Sequence, residues 1–267
     1  MRVAAIQMVS APEVGPNLES AARLIAAAAA AGASLAALPE YFCILGRHET
    51  DKVKVREADG SGPIQDFLAE AARRNRLWLV GGTVPLVCKN ENKVRSACLV
   101  FDDAGQRVAR YDKMHLFGLD LGGQKFDESR TIEPGERPVS VDTPLGRIGL
   151  SVCYDVRFPE LYRALGIVDA WLVPSAFTAV TGAAHWETLL RARAIENQCY
   201  VIAPAQGGLH PNGRRTHGHT MIVDPWGEVL ASRAEGEGVV LAELDSARIA
   251  EVRQSLPALE HRKMSGN

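Results

Sequence analysis

The sequence has no Cys-x-x-Cys pair, no surplus of charge of either sign and no long run of strongly apolar residues. Its five cysteines, at 43, 88, 98, 153 and 199, are sparse and odd in number, which argues against a zinc ribbon and against a secreted disulfide framework. A reducing, cytoplasmic compartment is the natural reading. Basic residues number 30 and acidic ones 32, so no nucleic acid or other polyanion is indicated as a partner. One long uncharged stretch, residues 24–38, is mostly alanine, contains Gly32 and stops at Pro39. A membrane span needs roughly 20 strongly apolar residues, so no membrane association is expected. MRVAAIQMV reads as a strand rather than a secretory leader. There is no Gly-x-x-x-x-Gly-Lys loop, and Gly236-Glu-Gly238 is too short a signal for a dinucleotide site, so no cofactor is expected. His217-x-His219 lacks a third ligand nearby, and no metal is expected either.

What is present fits a folded enzyme-sized domain. The chain has 267 residues, 46% of them hydrophobic and 23% charged, enough for a substantial core. Short β-rich runs alternate with helical ones: residues 3–9, 18–31, 34–38 and 64–74 read as strand, helix, strand, helix. Residues 77–87, 94–101 and 106–111 follow with only turn signals between them and should pair antiparallel. A second half repeats the plan, with strands at 147–152, 170–174, 200–205, 220–223, 229–232 and 239–243. Its helices are read at 159–165, 186–197 and from about 246. An α/β fold of two packed sheets with helices outside them follows. No Ser/Gly/Pro-rich linker divides the chain, which gives one domain over 1–256 and a polar tail over 257–267, placed at an oligomer interface or free.

Three segments carry candidate chemistry. In Gly149-Leu-Ser-Val-Cys153-Tyr-Asp-Val-Arg157-Phe-Pro159, a β run ends at a cysteine just before a helix start. Backbone N–H groups and the helix dipole there lower a thiol pKa and favour a nucleophile; a buried structural cysteine is an equal alternative from this segment alone. Leu38-Pro39-Glu40-Tyr41-Phe42 sets a carboxylate beyond an apolar strand, and Tyr111-Asp112-Lys113-Met114-His115 sets a lysine in an apolar and aromatic context after a strand. Carboxyl ends of strands are where α/β proteins collect site residues. Singly, Glu40 reads as a loop acid and Lys113 as a solvated lysine.

Together these motifs, at spacings of 113 − 40 = 73 and 153 − 113 = 40, resemble the Glu-Lys-Cys signature of the nitrilase (carbon-nitrogen hydrolase) superfamily. The resemblance implies an α-β-β-α four-layer sandwich, assembled as a homodimer or higher homo-oligomer. It implies Cys153 as nucleophile, Glu40 as general base and Lys113 as the cation that steadies the tetrahedral intermediate, with the Tyr154 N–H as a further donor. Glu128 matches a second glutamate found beside the triad, with Asp127 its competitor. The reaction implied is hydrolysis of the terminal carboxamide of a small anionic substrate through a Cys thioester, with release of ammonia.

The second half resembles the Nit subgroup through Pro174-Ser-Ala-Phe177-Thr178 and His185-Trp186-Glu187. Ala205-Gln206-Gly-Gly-Leu-His210 and Gly218-His219-Thr-Met-Ile-Val-Asp224-Pro-Trp-Gly227 resemble the deaminated glutathione amidase branch within it. An ω-amidase acting on α-ketoglutaramate and an N-carbamoyl amide hydrolase are the enzymatic alternatives, and a catalytically silent scaffold is the non-enzymatic one. Phe177 and Thr178 are placed at the pocket. Arg157 is four residues beyond Cys153 and suits a substrate carboxylate, or an internal pair with Glu160 or Asp155. His210, Arg214 and Arg215 form a small basic loop, which reads first as a solvated loop and alternatively as the partner of the distal carboxylate of a peptide-like substrate.

Overall fold

The computed structural model describes residues 1–121 and 124–264. Two sheets lie face to face. The first runs in the order Gly238–Glu243, Arg2–Gln7, Leu35–Ala37, Trp78–Val80, Val94–Phe101, with Val84–Val87 on the same edge of Val94–Phe101 as Trp78–Val80, and Arg107–Asp112 on its other edge. The second runs Val229–Arg233, Thr220–Val223, Tyr200–Ala203, Ala170–Leu172, Gly146–Leu150, Val139–Thr143. The three successive strands Arg2–Gln7, Leu35–Ala37 and Trp78–Val80 are parallel, as their helical crossovers require.

Side-chain alternation divides the core into layers. Val3 and Ala5 point between the sheets, where they join Leu35, Ala37, Leu150, Leu172 and Ile202. Ala4, Ile6 and Met8 point the other way, with Ala36 and Leu38, onto the helices Val14–Ala30 and Pro63–Asn75 through Leu24, Ile25, Ala28, Ile64 and Leu68. Two-sided burial is why these strands read as nearly continuous apolar runs. Trp186, Leu190 and Ala194 of the helix Ala179–Asn197 seal the outer face of the second sheet. The layers are therefore helix, sheet, sheet, helix, the sandwich that the sequence resemblance implies. Among the described residues no helix is long and apolar enough to cross a membrane.

Several expectations are corrected. Residues 77–87 form two strands, Trp78–Val80 and Val84–Val87, broken at Gly81-Gly82. Gly82 has φ +52°, and a Cβ there would lie 2.1 Å from the Pro39 carbonyl oxygen, so glycine lets this bend pass under the loop that carries Glu40. The helix expected from 186 starts at Ala179, because the Thr178 hydroxyl accepts from the Thr181 N–H and caps it. Gly182 falls inside that helix, where the His217 ring occupies the space of a side chain. Trp226 sits 55% exposed in the Asp224–Gly227 turn. The strand Gly238–Glu243, read with the second half, crosses to pair antiparallel with Arg2–Gln7 in the first sheet. Of the tail, residues 265–267 lie outside the described residues.

Candidate active site

Each of the three motifs ends a strand, and the three ends converge. Glu40 follows Leu35–Ala37, Lys113 follows Arg107–Asp112, and Cys153 follows Gly146–Leu150. Lys113 is fully buried, and its Nζ lies 2.8 Å from Glu40 Oε1 and 2.7 Å from Glu128 Oε2. Glu128 is positioned by the Tyr41 hydroxyl at 2.7 Å and the Phe117 N–H at 2.7 Å, both donating to it. The Cys153 thiol stands beside Glu40 on the wall of the same cavity, close enough for each to shift the other's ionisation. Asp127, the competitor of Glu128, is exposed and accepts from the Ser129 N–H and hydroxyl instead.

Burial sets the protonation pattern. Desolvation raises the Glu40 pKa above the ordinary carboxylate value, and the Glu128 charge adds to this against the pull of Lys113. Burial also opposes ionised Glu128, but Lys113 and the hydrogen bonds from Phe117 and Tyr41 hold its pKa below the ordinary value. Desolvation disfavours charged Lys113, yet the two carboxylates outweigh it and keep the ammonium. The Cys153 thiol is pushed up by desolvation and then by Glu40. This reverses the expectation of a thiol lowered by a helix dipole. The α-helix Pro159–Ala164 begins six residues further on and is short. A helix terminus contributes about 0.3–1 kcal/mol, less than one pKa unit, whereas full burial shifts a group by up to about 3–5 units. Burial therefore favours a neutral resting sulfur, with Glu40 beside it.

Cys153 has φ +49° and Tyr41 has φ +57°. Non-glycine residues seldom adopt this region, and its recurrence on both sides of the cluster is the kind of strain that gathers at working sites. The Cys153 N–H is taken by the Pro174 carbonyl at 2.9 Å. The Tyr154 N–H lies in the first turn of the 3-10 helix Cys153–Arg157, where the helix supplies no acceptor.

The cluster opens onto a cavity of about 310 Å³ lined by Tyr154, Arg157, Phe177, Thr178 and Arg214 among others. Arg157 makes no ion pair among the described residues: its guanidinium lies over the Tyr154 and Phe177 rings, and its Nη1 donates to His185 Nδ1 at 3.2 Å. The internal pairs suggested for it do not form. Asp155 is instead a buried hub, accepting from the Tyr111 hydroxyl (2.7 Å), the His115 N–H (3.0 Å) and the Val152 N–H (2.8 Å), and contacting His115 Nδ1. It thereby ties the strand end that carries Lys113 to the turn that carries Cys153. Asp155→Ala leaves these buried donors unpaired, at about 1–3 kcal/mol each. A loss of at least about 3 kcal/mol in denaturant unfolding is expected, and a deficit below about 1 kcal/mol would contradict the hub.

His210 is corrected. It is buried outside the cavity lining, with its ring nitrogens against the Ser10 carbonyl (3.0 Å) and the Thr216 hydroxyl (2.8 Å). Burial lowers its pKa to about 4, so it is neutral at pH 7 and carries no charge for a substrate. Arg215 pairs with Glu235 on the surface. Sequence reasoning overlooked Tyr41, whose signal was its place directly after Glu40, and Gln206, whose amide donates to the Glu40 carbonyl at 3.1 Å. His217 and His219 stack at 4.3 Å, and among the described residues no group of three metal-binding side chains forms. A wider cleft at Asp59, Arg95, Arg110 and Asp112 has those charges paired and contains no nucleophile.

The sequence matches the carbon-nitrogen hydrolase family over residues 2–254. It is 45% identical over 265 residues to a deaminated glutathione amidase of Synechocystis sp., covering 97% of both chains. The fold superposes on the C. elegans NitFhit protein with a TM-score of 0.88 and 38% identity, covering 98% of this chain and 65% of that one. It superposes equally, at 0.88 and 33% identity, on a Saccharomyces cerevisiae protein of branch 10 of the nitrilase superfamily, covering 99% and 97%. A buried carboxylate, ammonium and thiol at three strand ends, set in a fold and a sequence shared along nearly the whole chain, place this protein in the carbon-nitrogen hydrolase family, the nitrilase superfamily, as a hydrolase of carbon–nitrogen bonds.

Proposed function

We propose that this amidase hydrolyses deaminated glutathione, with Cys153 as nucleophile, Glu40 as general base, Lys113 as electrostatic stabiliser and Glu128 as the residue that holds Lys113. The observation that carries the assignment of roles is the buried Glu40 carboxylate, which pairs with the Lys113 ammonium at 2.8 Å and shares the cavity wall with Cys153. The substrate rests on the Synechocystis relative, and Arg157 in the cavity suits the carboxylate of the acyl part.

Glu40 takes the thiol proton as sulfur attacks the amide carbonyl. The oxyanion forms beside Lys113 and the Tyr154 N–H, and preorganised donors of this kind are the main source of acceleration in acyl transfer. Glu40 returns the proton to the departing nitrogen. A water molecule, deprotonated by Glu40, then cleaves the thioester and frees the acid and the thiol. Deaminated glutathione is an amide of cysteinylglycine, so its leaving group is that dipeptide amine. Release of ammonia, expected for a terminal carboxamide, belongs to α-ketoglutaramate.

The test is turnover of deaminated glutathione, α-ketoglutaramate and an N-carbamoyl amide side by side. Highest kcat/KM on the first is expected, and higher kcat/KM on either of the others would overturn the substrate assignment. A second expectation concerns pH. Glu40 must be ionised to accept the thiol proton, and its pKa is raised, so kcat/KM climbs with pH along a limb above the ordinary carboxylate range near 4.5. A limb at or below that value would contradict Glu40 as the base.

Our reading also includes a single domain over 1–256, a homo-oligomer and a cytoplasmic setting. The family match over 2–254 supports the first, and five free cysteines are consistent with the last.

A further inference from the structure

Arg214 stands where the reaction cavity meets two outer hollows. One, of about 270 Å³, lies against Tyr41, Leu45, His48, Glu49 and Lys52; the other, of about 220 Å³, lies against Tyr41, Glu49, Phe117, Phe126 and Asp127. Arg214 lines all three spaces. Its backbone is pinned, since its carbonyl accepts from the His210 N–H at 2.8 Å and its N–H donates to Asn212 Oδ1 at 2.9 Å. Asn212 in turn donates to the Leu45 and Gly46 carbonyls. The guanidinium rests on the Phe126 ring, 5.0 Å from its centroid.

The guanidinium is held in place but poorly satisfied. Its Nε is buried and has no hydrogen-bond partner among the described residues. Its nearest carboxylate, Glu49, is 4.0 Å from Nη1, and the other Glu49 oxygen is committed to Lys52 at 2.7 Å. Asp127 turns its carboxylate to Ser129. Buried donors are nearly always paired, so this one marks a bond that something entering the site would complete.

We propose that Arg214 is the specificity-determining residue of a distal anion subsite, which takes a carboxylate on the leaving-group side of the scissile amide. This rests on the amidase reading above. Arg157 borders the reaction cavity beside Phe177 and Thr178, and so serves the acyl part. Arg214 borders that cavity and the two hollows beyond it, which Arg157 does not reach, and this outer side is the one assigned to the extra residues of a peptide-like amine. A C-terminal glycine carboxylate suits a guanidinium fork.

The experiment compares deaminated glutathione with its C-terminal amide, which is identical except that the distal carboxylate is neutralised. Wild type is expected to favour the acid in kcat/KM by roughly 10- to 100-fold, the range for a charge-assisted bond. In Arg214→Gln this ratio falls to near one, and Arg214→Lys keeps part of it. A wild-type ratio near one, or a ratio unchanged in Arg214→Gln, overturns the subsite. If wild type hydrolyses neither compound, the deaminated glutathione reading itself fails and the subsite falls with it; turnover of both with no preference sinks the subsite alone.

Discussion

Cys153→Ala is expected to lower kcat/KM by on the order of 10⁵-fold, the scale of removing the nucleophile from a unit whose members act together. The fold should hardly respond. Alanine keeps the Cβ and tolerates φ +49° as well as cysteine does, and only one sulfur atom leaves a site that is 7% exposed. A melting curve close to wild type, together with lost turnover, would separate chemistry from folding. Mass spectrometry supplies the positive arm, because an acyl adduct on wild-type Cys153 should be trapped by acid quench and be missing from the variant. Turnover above about 1% of wild type in Cys153→Ala would end the assignment.

Lys113→Met should be the most destabilising single change in the site. Removing one partner of a buried ion pair costs about 3–5 kcal/mol, because the charge left behind has no water to solvate it. Here two carboxylates lose the same cation. In the variant both would have folded pKa values raised above their unfolded ones, so the deficit is fully expressed at neutral pH and shrinks as pH falls and they protonate. Wild type moves the other way: Glu128, whose pKa is lowered, loses its contribution as pH falls through that value. The two stability curves should therefore converge on acidification. Parallel curves across pH 4–8 would show that Lys113 matters for packing alone.

Much of this was legible in the sequence, and the reason is local. Glu40, Lys113 and Cys153 each lie within three residues of a strand end, so the strand pattern located them, and the face-to-face packing of the two sheets brought them together. Asp155 gave no such signal. Its three partners come from residues 111, 115 and 152, and no spacing along the chain announces that meeting. His210 and Arg214 were a single basic loop in one dimension. In three dimensions they flank a turn, hydrogen-bonded backbone to backbone, with one ring turned inward to Ser10 and one guanidinium turned to the cavity. The direction in which a turn rotates its side chains depends on contacts with residues 10, 45 and 46, which are remote in the chain. The strand at 238–243 was recognised as a strand, but its partner was a matter of sheet topology, which local periodicity does not encode.

That last strand also sets the order of events during synthesis. Arg2–Gln7 leaves the ribosome well before the strand that covers its outer edge, by Arg2↔Glu243 through Gln7↔Gly238. Until some 230 residues later that edge offers unpaired N–H and C=O groups to any passing strand. A nascent chain halted before residue 238 thus carries an open sheet edge as a direct aggregation hazard, and synthesis of residues 238–243 is what closes it.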